Sequence, residues 1–165
     1  MPQIVRHQIA DYLGIRTVAA GVTTTTFYLM GTGFTKIDED PKAVVHTSGY
    51  VSDKNKSSSI TGYDRTFPFD FEFIKAQEAV DALVAVAHDD KIGADAEFDF
   101  IRVDLYEAGD ATGAYRARKW AVCAEISSIT GEPQGVVKGS GVLHTVGDAI
   151  PGEFVVSTKV FTPDA

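Results

Sequence analysis

At 165 residues, with 44% hydrophobic and 10% aromatic side chains, the chain can build one sizeable core and reads as a single domain, residues 1–165. A formal charge of −8 argues against a protein that grips nucleic-acid phosphates, while one cysteine and four scattered histidines exclude a disulfide framework and offer no metal-ligand spacing, so no cofactor is expected. No run approaches the roughly 20 apolar residues of a membrane span, and Met1 to His7 lacks the apolar stretch of a signal peptide, which predicts a protein made and kept in the cytosol.

In chain order, residues 1–23 read as an arm or a weakly ordered N-terminal segment. Thr24 to Gly31 is β-branched and aromatic, which predicts a half-buried strand broken or bulged at Gly31-Thr32-Gly33. From Lys36 to Gly62 the chain turns polar, through Asp38-Glu39-Asp40-Pro41 and Ser52-Asp53-Lys54-Asn55-Lys56-Ser57-Ser58-Ser59. Such a stretch buries little apolar surface, and at this length it is a functional or disordered loop.

Phe67, Phe69, Phe71 and Phe73 alternate with Pro68, Asp70 and Glu72, the period of a strand with one aromatic and one wet face. Pro68 puts that strand at an edge or a bulge. The row could also be a stacking platform for a ligand, but acidic neighbours and the core value of phenylalanine favour a core. Ile74 to His88 predicts the one strong helix, with Val80, Leu83, Val84 and Ala87 on one face and Asp89-Asp90-Lys91-Ile92-Gly93 as its end. Four strands are predicted to follow, Glu97 to Glu107, Ala114 to Ile126, Val136 to Val146 and Glu153 to Phe161. Gly109, Gly113, Gly131-Glu132-Pro133 and Pro151-Gly152 supply the turns. Several of these strands are long for a small sandwich, which suggests a sheet closed or packed on itself with the helix over an opening or edge.

Chemistry finds little foothold. His7, His46, His88 and His144 stand apart with no nearby nucleophile, and His88 suits the C-terminal dipole of the helix. Cys123, mid-strand, reads as a small buried hydrophobe. Gly31-Thr32-Gly33 and Lys138-Gly139-Ser140-Gly141 lack the context of a phosphate loop and read instead as bulges or close backbone approaches. Asp95, Glu97 and Asp99 could serve a carboxylate-based hydrolase, but their alternation predicts a wet strand face. Arg116, Arg118 and Lys119 form the only basic cluster and, on a strand, divide between its faces for intersubunit salt bridging or solvation. Asn55-Lys56-Ser57 matches a glycosylation sequon that means little without secretion.

The ordered set of features resembles the tail tube (major tail) proteins of long, non-contractile-tailed bacteriophages. The likeness is carried by Phe27-Tyr28-Leu29-Met30-Gly31-Thr32-Gly33-Phe34, Lys36-Ile37-Asp38-Glu39-Asp40-Pro41, Ser57-Ser58-Ser59-Ile60-Thr61-Gly62-Tyr63, Gly93-Ala94-Asp95-Ala96-Glu97 with Ile101-Arg102-Val103-Asp104-Leu105, Arg116-Ala117-Arg118-Lys119 and Gly147-Asp148-Ala149-Ile150-Pro151-Gly152-Glu153-Phe154. The resemblance implies a mainly β, two-sheet sandwich or barrel-like fold with one flanking helix, no active site and no cofactor. It implies hexameric rings stacked into a tube of the virion, which encloses a tape-measure protein, meets tail terminator and distal tail proteins, and then passes DNA without specific binding. By the same analogy the loop from Thr35 to Thr61 reaches the next ring, through Lys36, Asp38, Glu39, Asp40, Lys54, Lys56, Ser57, Ser58 and Ser59. Two alternatives stay open: the ring-forming tube of type VI secretion, and a monomeric small-molecule-binding β-barrel with the phenylalanine row lining its pocket.

Overall fold

The computed structural model describes residues 2–165. After a 3-10 turn at Arg6–Gln8, the chain forms strands β1 (Ile9–Ala19), β2 (Val22–Leu29), β3 (Phe34–Ile37), β4 (Ala43–Ser48), β5 (Ser57–Tyr63) and β6 (Thr66–Glu72). Helix α1 (Glu78–His88) and a 3-10 turn at Gly93–Ala96 lead into β7 (Glu97–Ala108), β8 (Ala114–Thr130), β9 (Lys138–Val155) and β10 (Val160–Pro163). All pairings are antiparallel. One sheet runs β2-β1-β7-β8-β9-β6-β3 with β10 also on β9, and β4 and β5 form a separate two-stranded ribbon.

The large sheet is not closed, yet it is strongly curled. Phe67 on β6 lies three strand spacings from Phe100 on β7, about 14 Å across a flat sheet, but their ring centroids are 4.5 Å apart. Curling therefore encloses a core, and α1 covers it with Ala79, Val80, Leu83 and Val86. The opposite face curls as well: Tyr12 on β1 and Phe154 on β9 are also three spacings apart and meet at 4.6 Å. Strand alternation separates these two cores, since Leu13 and Phe100 enter the first while Tyr12 and Ile101 enter the second. Bulges in the long hairpin β8–β9 permit the bending: Lys119↔Ile150 is followed by Ala121↔Val146, so two extra residues of β9 loop out beside Gly147, whose φ of 81° favours glycine.

The phenylalanine row is core. Phe67, Phe69 and Phe71 are fully buried and Phe73 stacks on Phe71 at 5.4 Å; each full burial contributes about 2–3 kcal/mol. Gly139 and Gly141 lie directly opposite Phe71 and Phe69 on β9, so the predicted close backbone approach makes room for aromatic rings. A Cβ at Gly141 would meet the Phe69 ring at 2.8 Å and also press on the Glu125 carbonyl. Gly141→Ala should therefore cost about 1–3 kcal/mol by overpacking, read by urea unfolding; a loss under about 0.5 kcal/mol would show that the β8 backbone at Glu125 and the Phe69 ring both yield freely.

Several expectations are corrected. Within the supposed N-terminal arm, 1–23, Ile9–Ala19 is an interior strand between β2 and β7, with Leu13 fully buried. Its pattern is hidden by Asp11 and Arg16, charges that find partners far along the chain. The polar stretch 35–61 is paired into β4 and β5 by backbone hydrogen bonds, without a core of its own. The helix begins at Glu78 rather than Ile74, because Ala76 adopts φ 63° and breaks the helical path. The strands foreseen at 136–146 and 153–161 are one continuous β9 followed by β10; pairing with β8 carries the chain through Pro151 and Gly152. Finally, Asp99 does not face water: it is 7% exposed and bonded to Arg16.

Candidate assembly surface

The residues proposed to make contacts between rings separate into two groups. Lys36, Asp38, Glu39 and Asp40 belong to the end of β3 and the connection that follows, at the base of the β4–β5 ribbon. Lys36 pairs with Asp38 at 3.0 Å in an exposed bridge, and Asp40 exchanges backbone hydrogen bonds with Thr66. Lys54 and Lys56 are exposed at the ribbon tip, and Ser57, Ser58 and Ser59 start β5, where Ser58 shares a 3.0 Å hydroxyl hydrogen bond with Thr47.

Glu39 turns inward. Its carboxylate accepts from Arg65 at 2.5 Å and from Arg118 at 3.2 and 3.3 Å, and Arg102 reaches it at 3.3 Å. Arg65 and Arg118 both lie over the Trp120 ring, at 5.7 and 5.0 Å, so the indole sets their spacing. Burial alone would raise the Glu39 carboxyl, but Arg118, Arg102 and Arg65 hold it below its ordinary value. Arg102 continues inward, donating to Asp11 at 2.7 and 3.2 Å, and Arg6 caps the same carboxylate at 2.6 Å. The side chain of Asp11 is inaccessible to solvent and that of Arg102 is 7% exposed. This ion-pair chain ties β1, β7 and β8 to both ends of the ribbon, because Glu39 precedes β4 and Arg65 follows β5. The Asp64 amide donates to the Lys42 carbonyl at 2.9 Å, closing the stem.

Above that fixed stem the ribbon is bare. Val44, Val45, Ile60 and Tyr63 are all at least half exposed, and at its tip Tyr50 and Val51 are more so. A two-stranded hairpin without a packed face is marginal in water, so this one presents apolar side chains and hydrogen-bonding edges to whatever lies beside it. The large sheet also leaves β2 unpaired on its outer side.

The remaining charged clusters are intramolecular. Arg116 holds Asp164 in a two-point pair, at 3.0 and 2.6 Å, and Arg118 holds Glu39. Lys119, on the other strand face, approaches Asp99 at 3.9 Å. Glu97 and Asp99 converge on Arg16 at 3.2 and 2.6 Å, so both carboxylates are engaged within the chain. His144 contacts Glu125 at 2.5 Å on an exposed face, and Cys123 is a half-buried thiol. Among the described residues no group of three or more His, Cys, Asp and Glu is placed to hold a metal ion, and no helix is long and apolar enough to cross a membrane.

No family model and no curated protein matches the chain. Solved structures do. A chain of the SPP1 tail tube, determined by solid-state NMR and cryo-EM, superposes with a TM-score of 0.62 at 12% identity, covering 90% of this chain and 78% of that one. A chain of the anti-feeding prophage baseplate, six-fold symmetrised, gives 0.50 at 6% identity over 92% and 96%, and one in the tail of an empty GTA particle gives 0.49 at 12% over 89% and 97%. Mainly β, with one flanking helix and a sheet curled around two cores, the chain has the fold of a phage tail tube protein.

Proposed function

We propose that the chain is the structural subunit of a phage tail tube, a conduit without an active site. The observation that carries this reading is its superposition on the SPP1 tail tube over 90% of its length. The exposed ribbon agrees with it, since a free monomer gains nothing from an uncovered apolar hairpin. In this reading six copies form a ring, the symmetry of the baseplate that shares the fold, and rings stack into the tube of the virion. The exposed tip residues Lys54 and Lys56, with Ser57–Ser59, meet the neighbouring ring; Lys36 and Asp38 lie beside that contact, while Glu39 and Asp40 aim the ribbon from its base. Four strands from each of six copies would make a 24-strand barrel about 40–50 Å across at the backbone. That bore admits first a tape-measure protein and then duplex DNA, with tail terminator and distal proteins at the ends. A net charge of −8 keeps passing phosphates from sticking.

The test is negative-stain electron microscopy of the purified protein at rising concentration, with light scattering for mass. Hollow rings or tubes are expected. A compact monomer at every concentration, carrying a small molecule, would instead favour a binding barrel.

A further inference from the structure

The molecule has an apolar groove at one end of its sheet and an uncovered apolar turn at the other. The groove, about 790 Å³, lies where β1 begins and β2 ends; Leu29, Met30, Phe34 and Ile37 contribute to its wall, and Arg6, His7 and Lys36 bring positive or protonatable groups to its lining. Arg6 and Lys36 stay more than half exposed despite their pairing with Asp11 and Asp38. At the far end, the turn between α1 and the Gly93–Ala96 3-10 segment presents Ile92, 82% exposed, after the exposed Asp89 and Asp90.

This turn has a fixed shape. The Asp89 amide donates to Ala85 at 3.0 Å and that of Lys91 to Val86 at 3.1 Å, while Asp90 and Gly93 take φ of 47° and 59°. An isoleucine held in water on this turn, after Asp89, Asp90 and Lys91 and before Gly93, has no use in the subunit's own packing. The register places the two features at opposite ends: Ile9 pairs with Asp104 beside the groove, whereas β7 starts at Glu97, directly after the turn. Eight residue steps along the strand, from Glu97 to Leu105, put roughly 26 Å between them, so no subunit can fill its own groove with its own turn.

We propose that the groove receives Ile92 from a second copy of this chain, with Asp89 and Asp90 of that copy meeting the half-exposed Arg6 and Lys36 at its rim. Apolar plug fits apolar floor, and acid meets base. Because donor and acceptor lie at opposite ends, the contact is head-to-tail, the type that grows into an open stack when its rotation does not close. The inference rests on the tube reading and adds an axial contact beside that of the ribbon tip.

Ile92→Asp, Lys36→Glu and Asp89→Lys all change exposed residues, and a cation at Asp89 suits the helix C-terminus; circular dichroism should show wild-type folds. Assembly is read by light scattering and microscopy. Ile92→Asp should raise the concentration needed for tubes about tenfold or more while leaving rings intact. Lys36→Glu and Asp89→Lys should each weaken stacking, and the double variant should recover most of the loss. Tubes forming equally well with Ile92→Asp, or no recovery in the double variant, would overturn the axial contact and leave the tube reading standing. Wild-type protein that forms neither rings nor tubes would overturn both.

Discussion

Replacing Arg102 with methionine should destabilise the subunit by about 3–5 kcal/mol, a large part of the 5–15 kcal/mol that holds a typical domain together. Arg102 bonds both carboxylates of the ion-pair chain, the buried Asp11 through Nε and Nη2 and the half-buried Glu39 through Nη1. Its guanidinium also lies 5.3 Å from the centroid of the fully buried Phe67 ring. Methionine would fill the space but leave Asp11, inaccessible to solvent, with Arg6 alone, and Arg6 is 52% exposed and free to swing away. Most of the loss is the cost of an anion left under-bonded in a desolvated site, not the net worth of the pair. The double variant Arg102→Met with Asp11→Leu should accordingly regain a good part of the loss, since apolar groups of similar volume can replace a buried ion pair. Arg102→Lys keeps the charge but not the fork and should fall between the two. Urea unfolding of the four proteins reads these differences directly. A loss below about 1 kcal/mol for Arg102→Met would mean that water or Arg6 already satisfies Asp11, and the chain of pairs would then be decoration.

That ion-pair chain also marks where the sequence stops being readable. The phenylalanine row was legible because a period of two reports a strand face without reference to any other segment, and α1 was legible from its 3.6 period. Asp11 and Arg16 defeat the same test in β1. Each interrupts an apolar run, and each has a partner more than 80 positions away, Arg102 for Asp11 and Asp99 for Arg16, although Arg6 also reaches Asp11 from nearby. Local pattern carries no record of such partners. The ribbon failed for a different reason. Serine, threonine and histidine alternate with nothing, because neither face of β4–β5 packs on a core; the strands exist through backbone pairing, which is nearly indifferent to side chains. Pro151-Gly152 read as a turn from its chemistry, yet pairing with β8 on one side and β10 on the other carries the strand through. Of the candidate contact residues, the serines and lysines of the tip lie on the surface as their polarity suggests. Glu39 looked the same in sequence and proved to be the hub of three arginines.

If the ribbon exists for assembly, replacing Ala43–Tyr63 by an Asn-Gly turn should leave the subunit folded and abolish tubes. The stem already brings the ends together, the Asp64 amide donating to the Lys42 carbonyl at 2.9 Å, so a tight turn can close them. Everything that anchors the base stays: Glu39 with its arginines, and Asp40 with Thr66. Neither hydrophobic core contains a residue of β4 or β5. Stability should change by less than about 1 kcal/mol, within the range of surface edits, and the melting temperature should move by only a few degrees. Assembly should respond in the opposite way, because the exposed Val45, Tyr50, Val51 and Ile60 are lost together. Light scattering and microscopy at concentrations where the intact protein forms tubes would separate the cases. Tubes of normal length from the shortened chain would remove the ribbon from the assembly surface and shift the burden of polymerisation to the open β2 edge and the ends of the sheet. Loss of folding would mean that the ribbon braces the stem from outside, and that the ion pairs beneath it depend on the ribbon as much as the ribbon depends on them.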